Sequence, residues 1–155
     1  MSLSKKIQNS ELRYCSGLIS SIFLILLIGL DAFAGDYYWD NSTNFGYQSG
    51  NGTWGTDNFW TVDGVNLVAW PGAGNTATFA GADGNYVITV NGTQNVDSMA
   101  FSYNGYTLNG GTVNLGTKSG IYVADGKKAT INSVINGSNG IVKYGSGELF
   151  LDGNN

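Results

Sequence analysis

The side chains in this sequence that could do chemistry are mainly carboxylates. There is no His, and the single Cys is Cys15, near the amino terminus. A Ser-His-Asp triad, a Cys nucleophile and a usual structural zinc site are therefore excluded. Four acidic residues each precede a glycine, namely Asp63, Asp83, Asp125 and Asp152. Because Asp-Gly is a typical turn dipeptide, we expect turns there rather than paired catalytic carboxylates or a calcium site.

The scarcity of basic residues also argues against an enzyme. From residue 35 onward the sequence has no Arg and four Lys, which are Lys118, Lys127, Lys128 and Lys143. A lyase acting on acidic polysaccharides would need a basic proton acceptor. Nine acidic residues stand against the four Lys, so the formal net charge of residues 35–155 is −5. No basic patch can offset nucleic-acid phosphates. The sequence predicts a non-catalytic protein without cofactor, metal or nucleic-acid partner.

The aromatic residues offer a second kind of candidate site. The four tryptophans, Trp39, Trp54, Trp60 and Trp70, all fall in one short region. Their rings could stack on sugars, which would make this region a glycan-binding surface. Alternatively, the rings form a cap, since a solenoid must cover its first rung with bulky apolar side chains. The clustering near the amino end favours the cap.

The amino-terminal segment 1–34 has the order of a secretory signal peptide. Three basic residues precede a charge-free run over 14–30, and small residues occupy the A-x-A positions at Ala32 and Ala34. This order predicts cleavage after Ala34. The alternative is an uncleaved membrane anchor, but the run is shorter than the ~20 apolar residues that span a bilayer. We expect an exported chain that is not inserted in a membrane after cleavage.

Beyond Pro71, short runs rich in β-branched and aromatic residues alternate with Gly- and Asn-containing turns. These runs predict strands, and the clearest are 86–90, 106–108, 112–115, 120–123, 130–135 and 148–151. Val113 and Leu115 alternate with polar neighbours, as do Leu149 and Leu151, which is the period of two expected when one face is buried. The sequence therefore predicts an all-β fold.

Two all-β architectures fit this texture: antiparallel sandwiches or barrels, and β-solenoids. Short strands with interleaved Asn and Thr favour the solenoid, with stacked Asn ladders between coils. Approximate recurrence points the same way, because Gly105, Gly120 and Gly140 each open a strand-rich segment. The intervals between these glycines are unequal, so the recurrence is only approximate.

Residues 140–155 resemble the autotransporter-associated β-strand repeat. The matching positions are Gly140, Lys143, Gly145, Gly147, Leu149, Leu151, Gly153 and Asn155. Upstream segments, among them 38–40, 58–60 and 75–79, are similar to the amino-terminal region of secreted proteins that carry this repeat. The resemblance implies a right-handed parallel β-helix, exported to the surface or medium of a Gram-negative bacterium. The repeat normally continues past the point at which this sequence stops, so we interpret the chain as truncated or as a fragment.

These observations predict three regions: a signal peptide at 1–34, a Trp-rich cap at 35–80 and β-helix coils at 81–155. The predicted function is a secreted or surface-exposed structural or adhesive passenger fragment. Two alternatives stay open: a carbohydrate-binding module that uses the tryptophans, and part of a polysaccharide-active β-helix enzyme. Expected partners are glycans or other surface proteins. The last strand, 148–152, has few residues after it to cover the edge of the last coil, so we also expect edge-to-edge self-association.

Overall fold

The computed structural model describes residues 34–154, which form strands and turns without a helix. The predicted signal peptide, apart from Ala34, and Asn155 of the repeat lie outside the described residues. Within 34–154, then, no helix has the length and apolar character needed to cross a membrane. The strands are β1 (Asp36–Trp39), β2 (Gly52–Trp54), β3 (Trp60–Thr61), β4 (Thr76–Phe79), β5 (Tyr86–Val90), β6 (Thr93–Phe101), β7 (Tyr106–Asn109), β8 (Thr112–Val123), β9 (Lys128–Ile131), β10 (Val134–Asn136), β11 (Val142–Tyr144) and β12 (Glu148–Leu151).

These strands form two sheets in which successive coils of the chain stack on one another. The seven-stranded sheet has the order β10-β8-β6-β4-β1-β3, with β11 also paired to β8, and the five-stranded sheet has the order β12-β9-β7-β5-β2. The coil-to-coil pairs are parallel, and β3 pairs antiparallel to β1. The predicted parallel β-solenoid is therefore confirmed, while its right-handedness stays a prediction.

The coil length differs from the intervals between Gly105, Gly120 and Gly140. Thr76, Ser98, Gly120 and Val142 lie in register on successive coils, and they are evenly spaced along the chain. The intervals between Gly105, Gly120 and Gly140 do not equal the coil length, because these glycines are not at equivalent positions of successive coils. Gly120 lies inside β8, whereas Gly140 lies in the turn before β11 with a positive φ of 71°. Glycine marks turns of several kinds, and only strand register defines a coil.

The parallel pairing of β6 with β8, the two longest strands, is interrupted at a corner, where the two strands have unequal numbers of residues. Val96 pairs with Leu115 and Ser98 with Gly120, so Asp97 alone faces the segment 116–119. The longer segment includes Ser119, which is buried and whose φ of 43° is positive. The two predicted strands 112–115 and 120–123 are thus joined in β8 across this corner. Lys118 in this corner lines a groove on the outer face of the sheet.

Inward-facing side chains form continuous columns through the coils. Trp39, Phe79, Phe101 and Val123 lie in register and are fully buried. The rings of Phe79 and Phe101 stack with centroids 4.8 Å apart. The predicted cap at 35–80 joins these same columns, since β1 pairs with β4 and β2 with β5. The first coil and the later coils therefore share one apolar core.

Asn ladders connect neighbouring coils, as the sequence predicts. Nδ2 of Asn114 donates to Oδ1 of Asn95 at 2.8 Å, and the two residues are in register. Nδ2 of Asn132 likewise donates to Oδ1 of Asn109 at 2.7 Å. Side-chain amides pair in this way because each carries both a donor and an acceptor. These bonds add coil-to-coil contacts outside the core.

Candidate functional site

An open groove of about 710 Å³ lies on the outer face of the column formed by β4, the second half of β6, the second half of β8, and β11. Its volume is within the range of ~300–1,000 Å³ that is usual for small-molecule sites. The lining is mostly apolar, and its main residues are Thr76, Ser98, Ala100, Gly120, Tyr122 and Tyr144. We call this feature the outer groove.

Two tyrosines on adjacent coils line the outer groove. Tyr144 pairs in register with Tyr122, which pairs with Ala100, and alternate residues in these strands face the core. The tyrosines therefore point outward, and they are 54% and 42% exposed, respectively. Exposed aromatic rings offer apolar faces together with a hydroxyl group, which suits ligands that are partly polar.

Glycine makes room for these rings. A Cβ on Gly120 would lie 3.0 Å from Cε2 of Tyr144, and one on Gly145 would lie 2.9 Å from Cε2 of Tyr122. Each ring thus lies against a backbone position without a side chain on the neighbouring coil. Covering of a strand glycine by an aromatic ring, as at Gly120 in β8, is a recognised way to stabilise a sheet. It also holds the two rings in defined places beside the groove.

Small polar and apolar side chains form the rest of the surface. The hydroxyl groups of Thr76 and Ser98, on adjacent coils, hydrogen-bond each other at 3.0 Å. Ala100 lies beside them, and the buried Met99 also contributes to the lining. The groove therefore combines an apolar surface with one hydroxyl pair.

A charged pair stands at the corner of the outer groove. Nζ of Lys118 lies 3.2 Å from Oδ2 of Asp97. Oδ1 of Asp97 accepts from the backbone N–H of Lys118 and the hydroxyl of Thr117, both at 3.3 Å. Burial by itself would raise the pKa of Asp97, but these hydrogen bonds and the nearby ammonium group outweigh it and lower that pKa. Asp97 is thus an ionised carboxylate at neutral pH, paired with the Lys118 ammonium group.

The tryptophans proposed for sugar stacking are in the core. Trp39, Trp54 and Trp60 are fully buried, and Trp70 is partly buried against them. The rings pack on one another, for example Trp60 on Trp70 with centroids 4.6 Å apart. The rings of Trp54 and Trp60 make apolar packing contacts only, because their indole Nε1 atoms have no hydrogen-bond partner in the described part of the chain. Fully buried rings offer no face to a sugar, and the packing supports the cap interpretation.

The repeat residues that the structure describes have structural roles. A Cβ on Gly145 would overlap the carbonyl oxygen of Val123, and one on Gly147 would overlap that of Ala124. These positions need glycine because the chain passes closely over the preceding coil. Gly140 lies before β11, and Gly153 lies after β12.

The other repeat residues belong to the last coil. Leu149 and Leu151 are in register with the buried Ala129 and Ile131, so they face inward as predicted. Leu151 is still 40% exposed, because β12 pairs only with β9 among the described strands. Lys143 is in register with the buried Ile121 but is exposed, and its Nζ donates to the carbonyl oxygen of Gly145 at 2.7 Å.

The Asp-Gly residues lie in turns, as the sequence predicts. Asp63 accepts hydrogen bonds from the backbone of Val65 and Asn66, which lower its pKa. Asp83 pairs with Lys127 at 2.8 Å, and Asp125 accepts from Ser146. Within residues 34–154 no three His, Cys, Asp or Glu side chains come together as a group that could hold a metal ion.

Sequence reasoning missed the outer groove because Tyr122 lies in a predicted strand, 120–123, whereas Tyr144 lies in none of the predicted strands. The signal that could have revealed it is the separation of Tyr122 and Tyr144, which is one coil. That separation becomes informative only when the coil length is known. The shorter, unequal spacings drawn from the glycines hid it.

Comparison with known proteins finds that this sequence is similar to part of a bacterial adhesin. The chain is 38% identical over 141 residues to the protein "Adhesin BmaC autotransporter" of Brucella suis biovar 1 (strain 1330). The match covers 87% of this chain and 4% of that protein, so the chain spans a small part of the length of the relative it matches. No family model matches the chain, and no solved structure matches it. The similarity confirms the resemblance to autotransporter proteins.

Proposed function

We propose that this chain, which resembles a segment of an autotransporter adhesin, is an exported adhesive β-solenoid that makes contact through its outer groove. The observation that carries the proposal is the groove itself. It presents two exposed tyrosines on adjacent coils, whereas the other exposed rings, Phe45, Tyr103 and Phe150, do not line it. An exposed patch of this kind marks an interaction surface more often than a structural element.

The proposed location is the surface or surroundings of a Gram-negative bacterium. The similarity to an autotransporter adhesin supports it, as does the signal-peptide order of residues 1–34. We further propose that this chain acts by binding and does not catalyse a reaction. In support, the carboxylates of Asp63, Asp83 and Asp97 are engaged in a turn or in ion pairs, and no three acidic side chains of residues 34–154 come together.

The experiment that tests the proposal measures attachment. Beads that carry the purified chain are incubated with cultured epithelial cells, and bound beads are counted. We expect attachment above that of uncoated beads, and a severalfold loss for the double variant Tyr122→Ser/Tyr144→Ser. Phe150→Ser is the matched control, because Phe150 is 44% exposed on the other sheet. Equal attachment by the parent chain and uncoated beads would contradict the proposal, provided that circular dichroism shows the parent chain folded.

A further inference from the structure

We infer that the outer groove binds an N-acetylated hexosamine unit of a glycan. This inference deepens the proposed function and rests on it, because it names the partner of the same adhesive surface. Three features of the groove carry it: exposed tyrosine rings, a hydroxyl pair, and an apolar lining without net charge. Each feature matches a different part of an N-acetylhexosamine.

The tyrosine rings match the carbon-hydrogen face of the sugar. Aromatic ring faces carry partial negative charge, and the C–H groups of a pyranose carry partial positive charge. Tyr144 and Tyr122 are 54% and 42% exposed, so their rings are accessible from solvent. Because glycines on the neighbouring coils receive the ring edges, the rings are positioned before a ligand arrives. Such preorganisation lowers the entropic cost of binding.

The Thr76–Ser98 pair matches the polar atoms of the sugar. Two hydroxyl groups have two donors and four acceptor lone pairs in total, and the bond between them uses one of each. One donor and several lone pairs therefore remain for a ligand. Both residues line the groove. They can bond a sugar hydroxyl or the amide of an acetamido group.

The apolar lining favours an acetamido group over a plain hydroxyl. Ala100 lies on the same outward face of β6 as Ser98 and lines the groove, so a methyl group placed over it loses contact with water while the adjacent amide still reaches a hydroxyl. A hydroxyl group over the same carbon surface would be desolvated without a partner, which is unfavourable.

The charges of the groove favour a neutral ligand. The Lys118 ammonium group is paired with the Asp97 carboxylate, and residues 35–155 carry a net charge of −5. An acidic sugar would therefore meet a neutralised lysine on a negative protein. The groove thus fits a neutral glycan unit better than an anionic one.

The test compares two oligosaccharides that differ in the acetamido groups. Binding of N,N′,N″-triacetylchitotriose and of cellotriose to the full chain is measured by isothermal titration calorimetry, with sialyllactose as an acidic probe. We expect chitotriose to bind about tenfold or more tightly than cellotriose, since each acetamido group adds both apolar and hydrogen-bond contacts. Equal affinities for the two probes, or preference for sialyllactose, would overturn the inference.

Variants connect this preference to the groove. Tyr144→Ala and Ser98→Ala are expected to weaken chitotriose binding about tenfold or more, while the control Phe150→Ala leaves it unchanged. Gly120→Ala is expected to weaken binding too, because its Cβ would displace the Tyr144 ring. Unchanged affinity in Tyr144→Ala would overturn the inference. If beads attach to cells through the tyrosines but chitotriose does not bind, the saccharide inference fails and the adhesive proposal stands; if neither occurs, both fail.

Discussion

At the scale of single residues, the corner residue Asp97 shows how one side chain serves both the fold and the groove. It is the residue that β6 places opposite the segment 116–119, and it accepts hydrogen bonds from Thr117 and Lys118 in that segment. Its carboxylate thereby stabilises a turn that contains Ser119, whose φ is positive. Loss of this carboxylate is expected to loosen the corner.

The lowered pKa of Asp97 predicts a pH-dependent contribution to stability. Because its pKa is lower in the folded chain than in the unfolded chain, the carboxylate stabilises the fold at neutral pH. This contribution disappears as the pH falls through the folded-state pKa. Urea unfolding of Asp97→Asn at pH 7 should give a free energy of unfolding about 1 kcal/mol below that of the parent chain, and the difference should shrink in acid. Asp36→Asn, at an exposed position, is the control. The prediction would be contradicted if Asp97→Asn lowered the free energy of unfolding equally at pH 7 and in acid.

The tryptophans provide a second prediction at this scale, because Trp54 and Trp70 contact each other but differ in burial. Trp54 is fully buried and Trp70 only partly. Trp54→Ala should lower the free energy of unfolding by about 3–5 kcal/mol through lost burial and the cavity left behind. Trp70→Ala should cost clearly less. Thermal unfolding followed by circular dichroism measures both, and equal losses would show that Trp70 is as important to the cap as Trp54.

At the scale of strands, the position of a coil in the stack decides how much its inward residues contribute. Ile131 in β9 lies between coils, in register with Leu108 and Leu151, and is fully buried. Leu149 in β12 also faces inward but is only partly buried. An inward-facing aliphatic residue therefore contributes less to stability in the last described coil, because it has a neighbouring coil on one side only.

This difference predicts unequal effects of the same charged substitution. Ile131→Asp should destabilise the fold by about 3–5 kcal/mol, because it leaves an unpaired carboxylate in the core. Leu149→Asp should cost roughly half as much or less, since its carboxylate can reach water. Denaturant unfolding of the two variants gives the comparison. If Leu149→Asp proves as costly as Ile131→Asp, another part of the chain or a second copy covers Leu149.

At the scale of the whole molecule, the two ends of the described solenoid differ in how their strand edges and core are covered. At one end the tryptophans fill the core and β3 pairs antiparallel to β1. At the other end β10, β11 and β12 pair on one side only, within the part of the chain that the structure describes. Strand edges of this kind are templates for pairing with another chain.

We therefore expect the purified chain to fray or to self-associate at the edge formed by β10, β11 and β12. Native-state hydrogen exchange should show faster exchange of the amides of Leu149–Leu151 than of Lys128–Ile131 in dilute solution, and protection of β12 that rises with protein concentration. Leu151→Lys should suppress the concentration dependence, because charge on an edge strand opposes pairing. Equal protection of β9 and β12 at every concentration would refute this expectation.

The sequence by itself determined the class of fold and its local features. β-Branched runs and Asn-Gly or Asp-Gly turns depend on local backbone preferences, so the strands 86–90 and 148–151 could be predicted to the residue. The alternation of Val113 and Leu115 with polar residues likewise showed which side chains face the core. Burial of the tryptophans in a cap followed from their size and clustering.

Only the tertiary structure decided which residues stand next to one another on successive coils. The alignment of Tyr122 with Tyr144, and of Thr76 with Ser98, depends on a register set by the stacking of all coils together. The contact between Asp97 and Lys118 depends on the unequal segments at the corner. Local sequence carries little information on register, because shifting a turn slightly along the chain changes every pairing after it while each strand and turn keeps its preference.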